Sequence, residues 1–353
     1  MGKPRRTGAL GPVETSRPCS RNWESTERAM RSLSMVHTLG MQSLWRRVGQ
    51  GILLAVLASG ASGDSAQADR AMPGRPSEKE SWQKAASLAA GLTPDARVLV
   101  LEIDSGRLLA SRHLAEASQT LATPGSTLKP LILYFALASG DWSPDRRVAC
   151  LRKMHIGNHQ LNCSHPAADP MDAVQALTWS CNSYFAELAG SLTPEELHRA
   201  LSERELLAFT GLTTQENAAA FRLPRTREQI QLAALGVEGI RVTLPELAEA
   251  YRSLEIELRA HQNEKAARVV FEGLNDSASF GMAGQASLGG VPIAGKTGTA
   301  SPEGGGASHG WFVGFAPADA PRVVVAVYLP RGHGSDAAGV AARVLARSPL
   351  RQP

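Results

Sequence analysis

The chain has no internal repeat, no long low-complexity tract and, in its main part, no excess of positive charge. Without a repeat, it is not expected to be a solenoid or another repeat protein. The formal net charge is +4, but residues 1–68 hold nine Lys and Arg against four Asp and Glu, which leaves 28 against 29 in residues 69–353. The basic residues therefore belong to the leader, and nucleic acid is not an expected partner. With 353 residues, 43% of them apolar, the chain has room for one large globular domain or two smaller ones.

The apolar stretch of the leader, residues 52–58, is too short for an ordinary transmembrane helix. Residues 1–40, rich in Arg, Ser and Pro, are interpreted as a disordered or mis-started leader. Residues 41–68 resemble a signal peptide, with a positive region at 45–47 before the apolar stretch and small residues at 66–68. We therefore expect an exported protein, in the periplasm or on the outer face of the cytoplasmic membrane. An uncleaved membrane anchor is the alternative. No cysteine lies near the cleavage region, so a lipid anchor is not expected there.

Ser126 and Lys129 form the first candidate catalytic pair. They follow a Pro-Gly turn and begin an apolar run, and residues three apart in a helix share a face, so the two side chains can touch. A lysine whose pKa is lowered by burial or by nearby cations can take the proton of a serine hydroxyl. Ser81 and Lys84 have the same spacing. The spacing alone is therefore not specific, and a solvated helix start is the ordinary alternative.

The predicted secondary structure favours Ser126 over Ser81. Residues 97–103 are an apolar and β-branched run typical of a buried strand, and residues 107–110 are a return strand ahead of the Ser126 helix. Ser81 lies in a polar, partly helical lead-in segment, residues 69–94, with no strand pair before it.

Two further motifs follow Ser126 in order. A Ser-Cys-Asn motif at 180–182 lies 54 residues later, on a predicted short connection between helices. A Lys-Thr-Gly-Thr motif at 296–299 lies another 116 residues on, at the end of a predicted strand. Alone, the first would be a helix cap and the second a hairpin turn. The order of all three makes the set specific.

Serine-x-x-lysine, serine-x-asparagine and lysine-threonine-glycine, in this order, resemble the motif set of the penicillin-binding protein transpeptidase domain, in the serine DD-peptidase and β-lactamase superfamily. The resemblance covers residues 95–347. It implies an α+β fold, with a five-stranded antiparallel sheet flanked by helices, a mostly helical subdomain and the active site between them. The chain departs from the family pattern at 236–239, where Gly-Val-Glu-Gly replaces Gly-Gln-Gly, and at 243–245, where Thr-Leu-Pro replaces Thr-Pro. These departures concern the natural substrate rather than the acyl chemistry.

The resemblance implies a role for each catalytic residue. Ser126 is the nucleophile that forms an acyl-enzyme, and Lys129 is its base. Ser180 relays a proton to the leaving amine, and Asn182 holds the amide of the substrate. Lys296 supplies a positive charge that lowers the pKa of Lys129 and attracts the terminal carboxylate of the substrate.

The resemblance also implies a set of substrate-binding groups after Lys296. The hydroxyls of Thr297 and Thr299 bind the substrate carboxylate, and Gly298 lets the strand pass close to the substrate. The backbone N–H groups of Ser126 and Thr299 form the oxyanion hole.

Three cysteines lie beyond the leader. Cys150 and Cys163 flank a 12-residue polar loop and, in an exported protein, are a candidate disulfide. The alternative is a zinc site that combines these two cysteines with His155, His159 and His165. Its spacing fits no standard template, so we expect neither a metal nor a cofactor. Cys181 is interpreted as a small buried residue.

The hypothesis is an exported serine acyltransferase, a DD-transpeptidase that acts on D-Ala-D-Ala peptides in peptidoglycan cross-linking through an acyl-Ser126 intermediate. Peptidoglycan stem peptides and β-lactam antibiotics such as penicillin are the expected ligands, and cell-wall synthesis proteins are candidate partners. A DD-carboxypeptidase and a serine β-lactamase are the alternatives among enzymes, although no deacylating glutamate of the class A type can be located by motif. A β-lactam sensor or scaffold is the non-enzyme alternative, but no signalling segment is visible, and intact Lys129, Ser180 and Lys296 argue against a dead enzyme.

Overall fold

The computed structural model describes residues 77–166 and 170–351. The leader predicted over 1–40 and the signal peptide predicted over 41–68 lie outside the described residues. The described α-helices are α1 (Glu78–Ala90), α2 (Leu114–Gln119), α3 (Lys129–Ala138), α4 (Ala173–Thr178), α5 (Asn182–Ala189), α6 (Pro194–Ser202), α7 (Arg227–Ala234), α8 (Leu244–Ala260), α9 (Lys265–Ser279) and α10 (Gly334–Leu345). The described strands are β1 (Arg97–Glu102), β2 (Leu108–Arg112), β3 (Lys153–Ile156), β4 (His159–Asn162), β5 (Ala220–Phe221), β6 (Ile240–Arg241), β7 (Ala294–Ala300), β8 (His309–Ala316) and β9 (Val323–Leu329).

Five of the strands form one antiparallel sheet in the order β2-β1-β9-β8-β7. The predicted five-stranded antiparallel sheet is thus confirmed, and β1 and β2 agree with their predicted bounds to within two residues. The Lys-Thr-Gly-Thr motif was predicted at the end of a strand, whereas β7 contains the whole motif. β7 pairs only with β8, so the strand that carries the Lys-Thr-Gly-Thr motif is an edge strand. An edge strand has N–H and C=O groups that no neighbouring strand satisfies, and these can meet a ligand.

Both faces of the sheet are buried. Successive side chains of a strand point to opposite faces, and along β1 and β9 alternate residues join two separate hydrophobic cores. Leu99 and Leu101 belong to the core that contains α3 and α8, whereas Val98 and Val100 belong to the core under α1 and α10. Because both faces of the sheet are buried, β1 (apart from its two end residues) and β9 are continuous runs of apolar residues and do not alternate with polar ones.

A threonine followed by proline and glutamate is typical of a helix start, and α6 and α8 begin directly after Thr193 and Thr243. Each threonine hydroxyl accepts a hydrogen bond from the backbone N–H three residues later, and that glutamate reaches back to the threonine N–H. α1, inside the predicted lead-in segment, begins with the same arrangement at Ser77 and buries Trp82 against the sheet. Between residues 77 and 351, leaving aside 167–169, no helix combines the length and the apolar character needed to cross a bilayer.

The helical part carries two small antiparallel hairpins, β3 with β4 and β5 with β6. The β3–β4 hairpin lies between α3 and α4 in the chain, and its C-terminal end contacts the start of α5. Its exposed side chains alternate with others that face the helical core, which includes buried Ile156 and is contacted by the partly buried Met154 and Leu161.

Candidate active site

Ser126 lies on a single 3₁₀ turn, Gly125–Leu128, that runs directly into α3. The backbone N–H of Lys129 donates to the carbonyl of Ser126, so the two residues are one turn apart as predicted. Ser126 is half-buried, whereas its neighbours Gly125 and Thr127 are buried. Gly125 has a φ of +57°, and a Cβ there would lie 3.0 Å from the carbonyl oxygen of Thr299. This 3₁₀ turn, called the nucleophile turn below after the predicted role of Ser126, therefore requires glycine immediately before Ser126.

The Lys129 ammonium joins the first motif to the second. Its Nζ lies 2.8 Å from the carbonyl oxygen of Ser180, 3.1 Å from Ser180 Oγ and 2.7 Å from Asn182 Oδ1. The side chain is fully buried, and this desolvation lowers the pKa of Lys129 to about 8. A lysine with this pKa is partly neutral near physiological pH, which a general base requires.

The Ser180–Asn182 turn connects α4 to α5, as the sequence predicts. Ser180 has a φ of +56°, a left-handed conformation that is uncommon for a residue with a side chain. This conformation directs both the carbonyl and the hydroxyl of Ser180 to Lys129. Asn182 is the first residue of α5, and its Nδ2 donates to the carbonyl of Asn162 at the end of β4.

Lys296 is fully buried in β7, and its Nζ donates to the carbonyl of Thr297 at 3.2 Å. Burial and the positive charge of Lys129 together hold the pKa of Lys296 well below its ordinary value. Lys296 was expected from the sequence to lower the pKa of Lys129. In the structure the cause of that lowering is burial, because removal from water disfavours the charged ammonium form.

Gly298 is required by the nucleophile turn. A Cβ at Gly298 would lie 2.5 Å from the carbonyl oxygen of Pro124 and 2.9 Å from Thr127 Cγ2. From the sequence, Gly298 was expected to make room for the substrate. In the structure the close packing of β7 on the 3₁₀ turn already requires glycine at this position. The hydroxyl of Thr297 donates to the carbonyl of Met282 at 3.4 Å. The exposed Thr299 accepts the backbone N–H of Gly334 at 2.9 Å on its hydroxyl.

Three residues that position the nucleophile turn were missed by the sequence analysis. The carbonyl of Thr123, three residues before Ser126, accepts hydrogen bonds from His309 Nε2 at 2.8 Å and from Trp311 Nε1 at 3.0 Å. Gly236 accepts the N–H of Gly125 at 3.0 Å, and a Cβ on Gly236 would lie 2.4 Å from the Gly125 oxygen. The Gly-Val-Glu-Gly sequence at 236–239, which replaces the Gly-Gln-Gly of the family, could have pointed to Gly236. No residue pattern indicated this role of His309 and Trp311, because their partner is a backbone carbonyl.

The predicted Cys150–Cys163 disulfide is not present in the structure, where Cys150, Cys163 and Cys181 all have free thiols. The physical reason is their arrangement, since the three sulfur atoms and the imidazole of His165 meet in one cluster instead of pairing two by two. His155 and His159, which the zinc alternative included, do not join this cluster. His159 Nε2 lies 2.8 Å from Glu238 Oε2.

Comparison with known proteins agrees with this geometry. Residues 70–348 match the model of the penicillin-binding protein transpeptidase domain. The chain belongs to this family. The match includes the predicted lead-in segment, in keeping with the packing of α1 on the sheet.

Two curated relatives are each named a probable peptidoglycan D,D-transpeptidase PenA. The chain is 28% identical to the protein of Neisseria flavescens over 256 residues, which cover 64% of this chain and 62% of the relative. It is also 28% identical to the protein of Neisseria gonorrhoeae over 263 residues, which cover 65% of this chain and 44% of the relative. The chain thus spans less than two thirds of the length of these relatives.

Solved structures of penicillin-binding proteins share the fold. The apo transpeptidase domain of penicillin-binding protein 3 from Burkholderia pseudomallei has a TM-score of 0.66 at 20% identity, covering 78% of this chain and 96% of that one. The D,D-transpeptidase domain of a peptidoglycan glycosyltransferase from Eggerthella lenta has a TM-score of 0.61 at 22% identity, covering 76% and 80%. The α+β fold with a five-stranded antiparallel sheet is the fold of this family.

Proposed function

We propose that the protein is an exported DD-transpeptidase that cross-links peptidoglycan through an acyl-Ser126 intermediate. The observation that carries this proposal is the contact of the buried Lys129 ammonium with Ser180 and Asn182, one helical turn after Ser126. It brings the first two motifs, 51 to 53 residues apart, into one hydrogen-bonded group. The curated PenA relatives, named probable peptidoglycan D,D-transpeptidases, support the same activity.

The proposed acylation step uses these groups in turn. Neutral Lys129 takes the Ser126 hydroxyl proton as Oγ attacks the carbonyl carbon of the penultimate D-alanine. The peptide bond then breaks, an ester to Ser126 forms, and the terminal D-alanine leaves with a proton passed from Lys129 through Ser180 Oγ, which is 3.1 Å away. The amine of an acceptor peptide attacks the ester in the second half-reaction, and its proton returns through the same group to re-form the Ser126 hydroxyl.

Binding of the substrate is assigned to β7. The fully buried Lys296 is the group assigned to attract the terminal carboxylate of the peptide, because a bound carboxylate favours the protonated form of the lysine. Thr297 and Thr299 supply the hydroxyls, and the N–H groups of Ser126 and Thr299 supply the oxyanion hole, in which each donor is worth about 3 kcal/mol where it has been measured. Asn182 would hold the substrate amide.

Slow hydrolysis of the acyl-enzyme distinguishes a transpeptidase from a β-lactamase. A β-lactamase needs a group that activates water for deacylation. Within the part of the chain that the structure describes, no carboxylate forms a hydrogen bond or ion pair with Ser126, Lys129, Ser180 or Lys296. This supports a long-lived acyl-enzyme that awaits an amine acceptor.

The experiment is intact-protein mass spectrometry of the purified full chain mixed with benzylpenicillin and followed over time. We expect a persistent adduct of one penicillin per chain, which is absent in Ser126→Ala and retained in Ser81→Ala. Ser81 is the matched control because it heads the same Ser-x-x-Lys spacing on α1.

Each other outcome has a definite meaning. Labelling that persists in Ser126→Ala contradicts the assignment of the nucleophile. An adduct that forms and then disappears as the drug is hydrolysed indicates a β-lactamase. A stable adduct in a protein that does not transfer a D-Ala-D-Ala donor peptide to an amine indicates a sensor, and transfer to water alone indicates a carboxypeptidase.

A further inference from the structure

Three thiols and one imidazole converge beside the Ser180–Asn182 turn. The sulfur atoms of Cys150, Cys163 and Cys181 and a ring nitrogen of His165 all lie within 4.8 Å of one another. Cys150 Sγ is 3.5 Å from His165 Nε2. Cys163, Cys181 and His165 are each at most 8% exposed, and Cys150 is half-buried. The set comes from two separate parts of the chain, residues 150–165 and the Ser-Cys-Asn motif.

The imidazole is oriented as a ligand. His165 Nδ1 lies 2.7 Å from the carbonyl oxygen of Pro166, so Nδ1–H donates to that oxygen and the lone pair of Nε2 faces the thiols. A backbone carbonyl on the far nitrogen is the usual partner of a metal-bound histidine. The guanidinium of Arg152 donates to the carbonyls of His165 and Pro166 and holds this segment in place.

Two of the sulfur atoms accept hydrogen bonds from backbone N–H groups, which stabilise a thiolate. The N–H of Asn182 donates to Cys163 Sγ at 3.2 Å, and the N–H of Arg152 donates to Cys150 Sγ at 3.4 Å. Thiolates are the form of cysteine that binds metal.

The chemistry and the dimensions fit zinc. In a tetrahedral Zn²⁺ site the Zn–S distance is about 2.3 Å, which places sulfur atoms about 3.8 Å apart. Donor atoms 3.5 Å to 4.8 Å apart reach that geometry by moving less than about 1 Å. Three cysteines and one histidine are a common ligand set of closed structural zinc sites, and soft thiolates disfavour Mg²⁺ and Ca²⁺.

We propose that Cys150, Cys163, Cys181 and His165 bind one zinc ion that fixes the Ser180–Asn182 turn to the segment preceding α4. Binding releases three thiol protons to solvent, and the bound cluster carries a net charge of −1 beside the Arg152 guanidinium. In an exported protein, three adjacent free thiols would otherwise oxidise, whereas zinc holds them as thiolates. The site differs from the ligand set considered from sequence, because Cys181 takes part and His155 and His159 do not.

The position of Cys181 gives the metal a consequence for the reaction. Cys181 lies between Ser180 and Asn182, both of which accept hydrogen bonds from Lys129. A zinc-bound Cys181 would hold the left-handed Ser180 in the conformation that this contact requires. This consequence rests on the proposed function, whereas metal binding itself does not.

The test is metal analysis of the full chain, purified under a thiol reductant, supplied with Zn²⁺ and passed through gel filtration with a competing chelator. We expect one zinc per chain in the wild type and less than about a tenth of that in Cys163→Ser and His165→Ala. His155→Ala and His159→Ala are matched controls and should each keep one zinc. Equal zinc in all variants would mean adventitious binding and would overturn the proposal.

Cobalt gives a readout that needs no variant, in case the cysteine variants fail to fold. Wild-type protein loaded with Co²⁺ should show thiolate-to-cobalt charge-transfer absorption and the intense d–d bands of a tetrahedral ion, at one ion per chain. An octahedral spectrum would contradict the assignment. So would a wild-type protein, purified without reductant, in which mass spectrometry of peptides finds Cys150 joined to Cys163 by a disulfide.

The effect on the reaction is measured separately. Removal of zinc should lower the melting temperature and slow acylation by benzylpenicillin at least about tenfold, with recovery on adding Zn²⁺. Zinc bound as expected in a protein that penicillin never acylates would reject the proposed function and leave the metal site standing. Full acylation in a protein that binds no metal would reject the metal site and leave the proposed function standing.

Discussion

The two walls of the active-site cleft are built by different means. The sheet wall consists of β7 and the 3₁₀ turn Gly125–Leu128, and its closest contacts are between backbone atoms. The helical wall consists of the Ser180–Asn182 turn and the β3–β4 hairpin, and its closest contacts are between polar or sulfur-containing side chains and their neighbours.

The difference decides how each wall can fail. Glycines at 125 and 298 in the sheet wall, and at 236 packed against it, allow backbone approaches that an added methyl group would prevent, so this wall is sensitive to volume. On the helical wall, the position of the turn depends on an ammonium group, an amide and three thiols. This wall is therefore sensitive to protonation and oxidation and, where the proposed zinc ion is bound, to its removal.

The largest expected effect comes from Lys129, which links the two walls. Lys129→Ala should slow acylation by benzylpenicillin about 10²- to 10⁴-fold, because it removes the general base. Lys129→Arg should be equally slow, because a guanidinium keeps the positive charge but cannot accept a proton in this pH range. The measurement is the rate of adduct formation by intact-protein mass spectrometry.

The control for Lys129 is Lys84→Ala, which changes the lysine of the other Ser-x-x-Lys match and should leave the rate unchanged. A melting temperature close to that of the wild type is needed to attribute the loss to chemistry. If Lys129→Arg acylates as fast as the wild type, Lys129 acts through its charge alone, and the base is another group.

The elements of the sheet wall could be predicted from the sequence, whereas those of the helical wall could be predicted only in part. The strands β1, β8 and β9 are uninterrupted apolar runs, and the helix starts at Thr193 and Thr243 carry their own local signals, so these elements could be predicted. The motifs were also located by order and spacing, and the structure places Lys129, Ser180 and Asn182 in contact.

Contacts between distant residues could not be predicted in the same way. The spacing of Cys150, His165 and Cys181 fits no zinc template, because one ligand comes from a turn 16 residues after the others. The Cys150–Cys163 disulfide was a reasonable pairing only while the third sulfur was assigned to the core. Likewise, the need for Gly298 arises from the carbonyl of Pro124, a backbone atom whose position no side-chain pattern records.

A methyl group on the sheet wall should have the second largest effect. Gly298→Ala places a Cβ 2.5 Å from the carbonyl oxygen of Pro124, so β7 or the nucleophile turn must move. We expect acylation to slow about 10- to 100-fold, equivalent to about 1.4 to 2.7 kcal/mol in the activation free energy. The measurement is the same rate of adduct formation.

Gly284→Ala is the matched control for Gly298→Ala, because nothing lies within 4 Å of a Cβ at Gly284 and its φ is not positive. Its acylation rate should equal that of the wild type. Equal rates in both variants would show that the sheet wall tolerates added volume, and the contrast between the walls would not hold.

The smallest expected effect is a pH dependence of stability on the sheet wall. His309 is buried and donates through Nε2 to the carbonyl of Thr123, and burial lowers its pKa below the ordinary 6.5. The unfolded chain then binds the proton more readily than the folded one, so the contribution of neutral His309 is complete above pH 6.5 and is lost as the pH falls towards the lower pKa of the folded state. His309→Gln keeps an N–H donor but does not titrate. Its free energy of unfolding, measured with urea, should therefore decrease less than that of the wild type between about pH 7.5 and about pH 5.5.

His155→Gln is the control, because the side chain of His155 is exposed. Its free energy of unfolding should change with pH as that of the wild type does. The same pH dependence in all three proteins would contradict a role for buried, neutral His309 in holding the turn before Ser126.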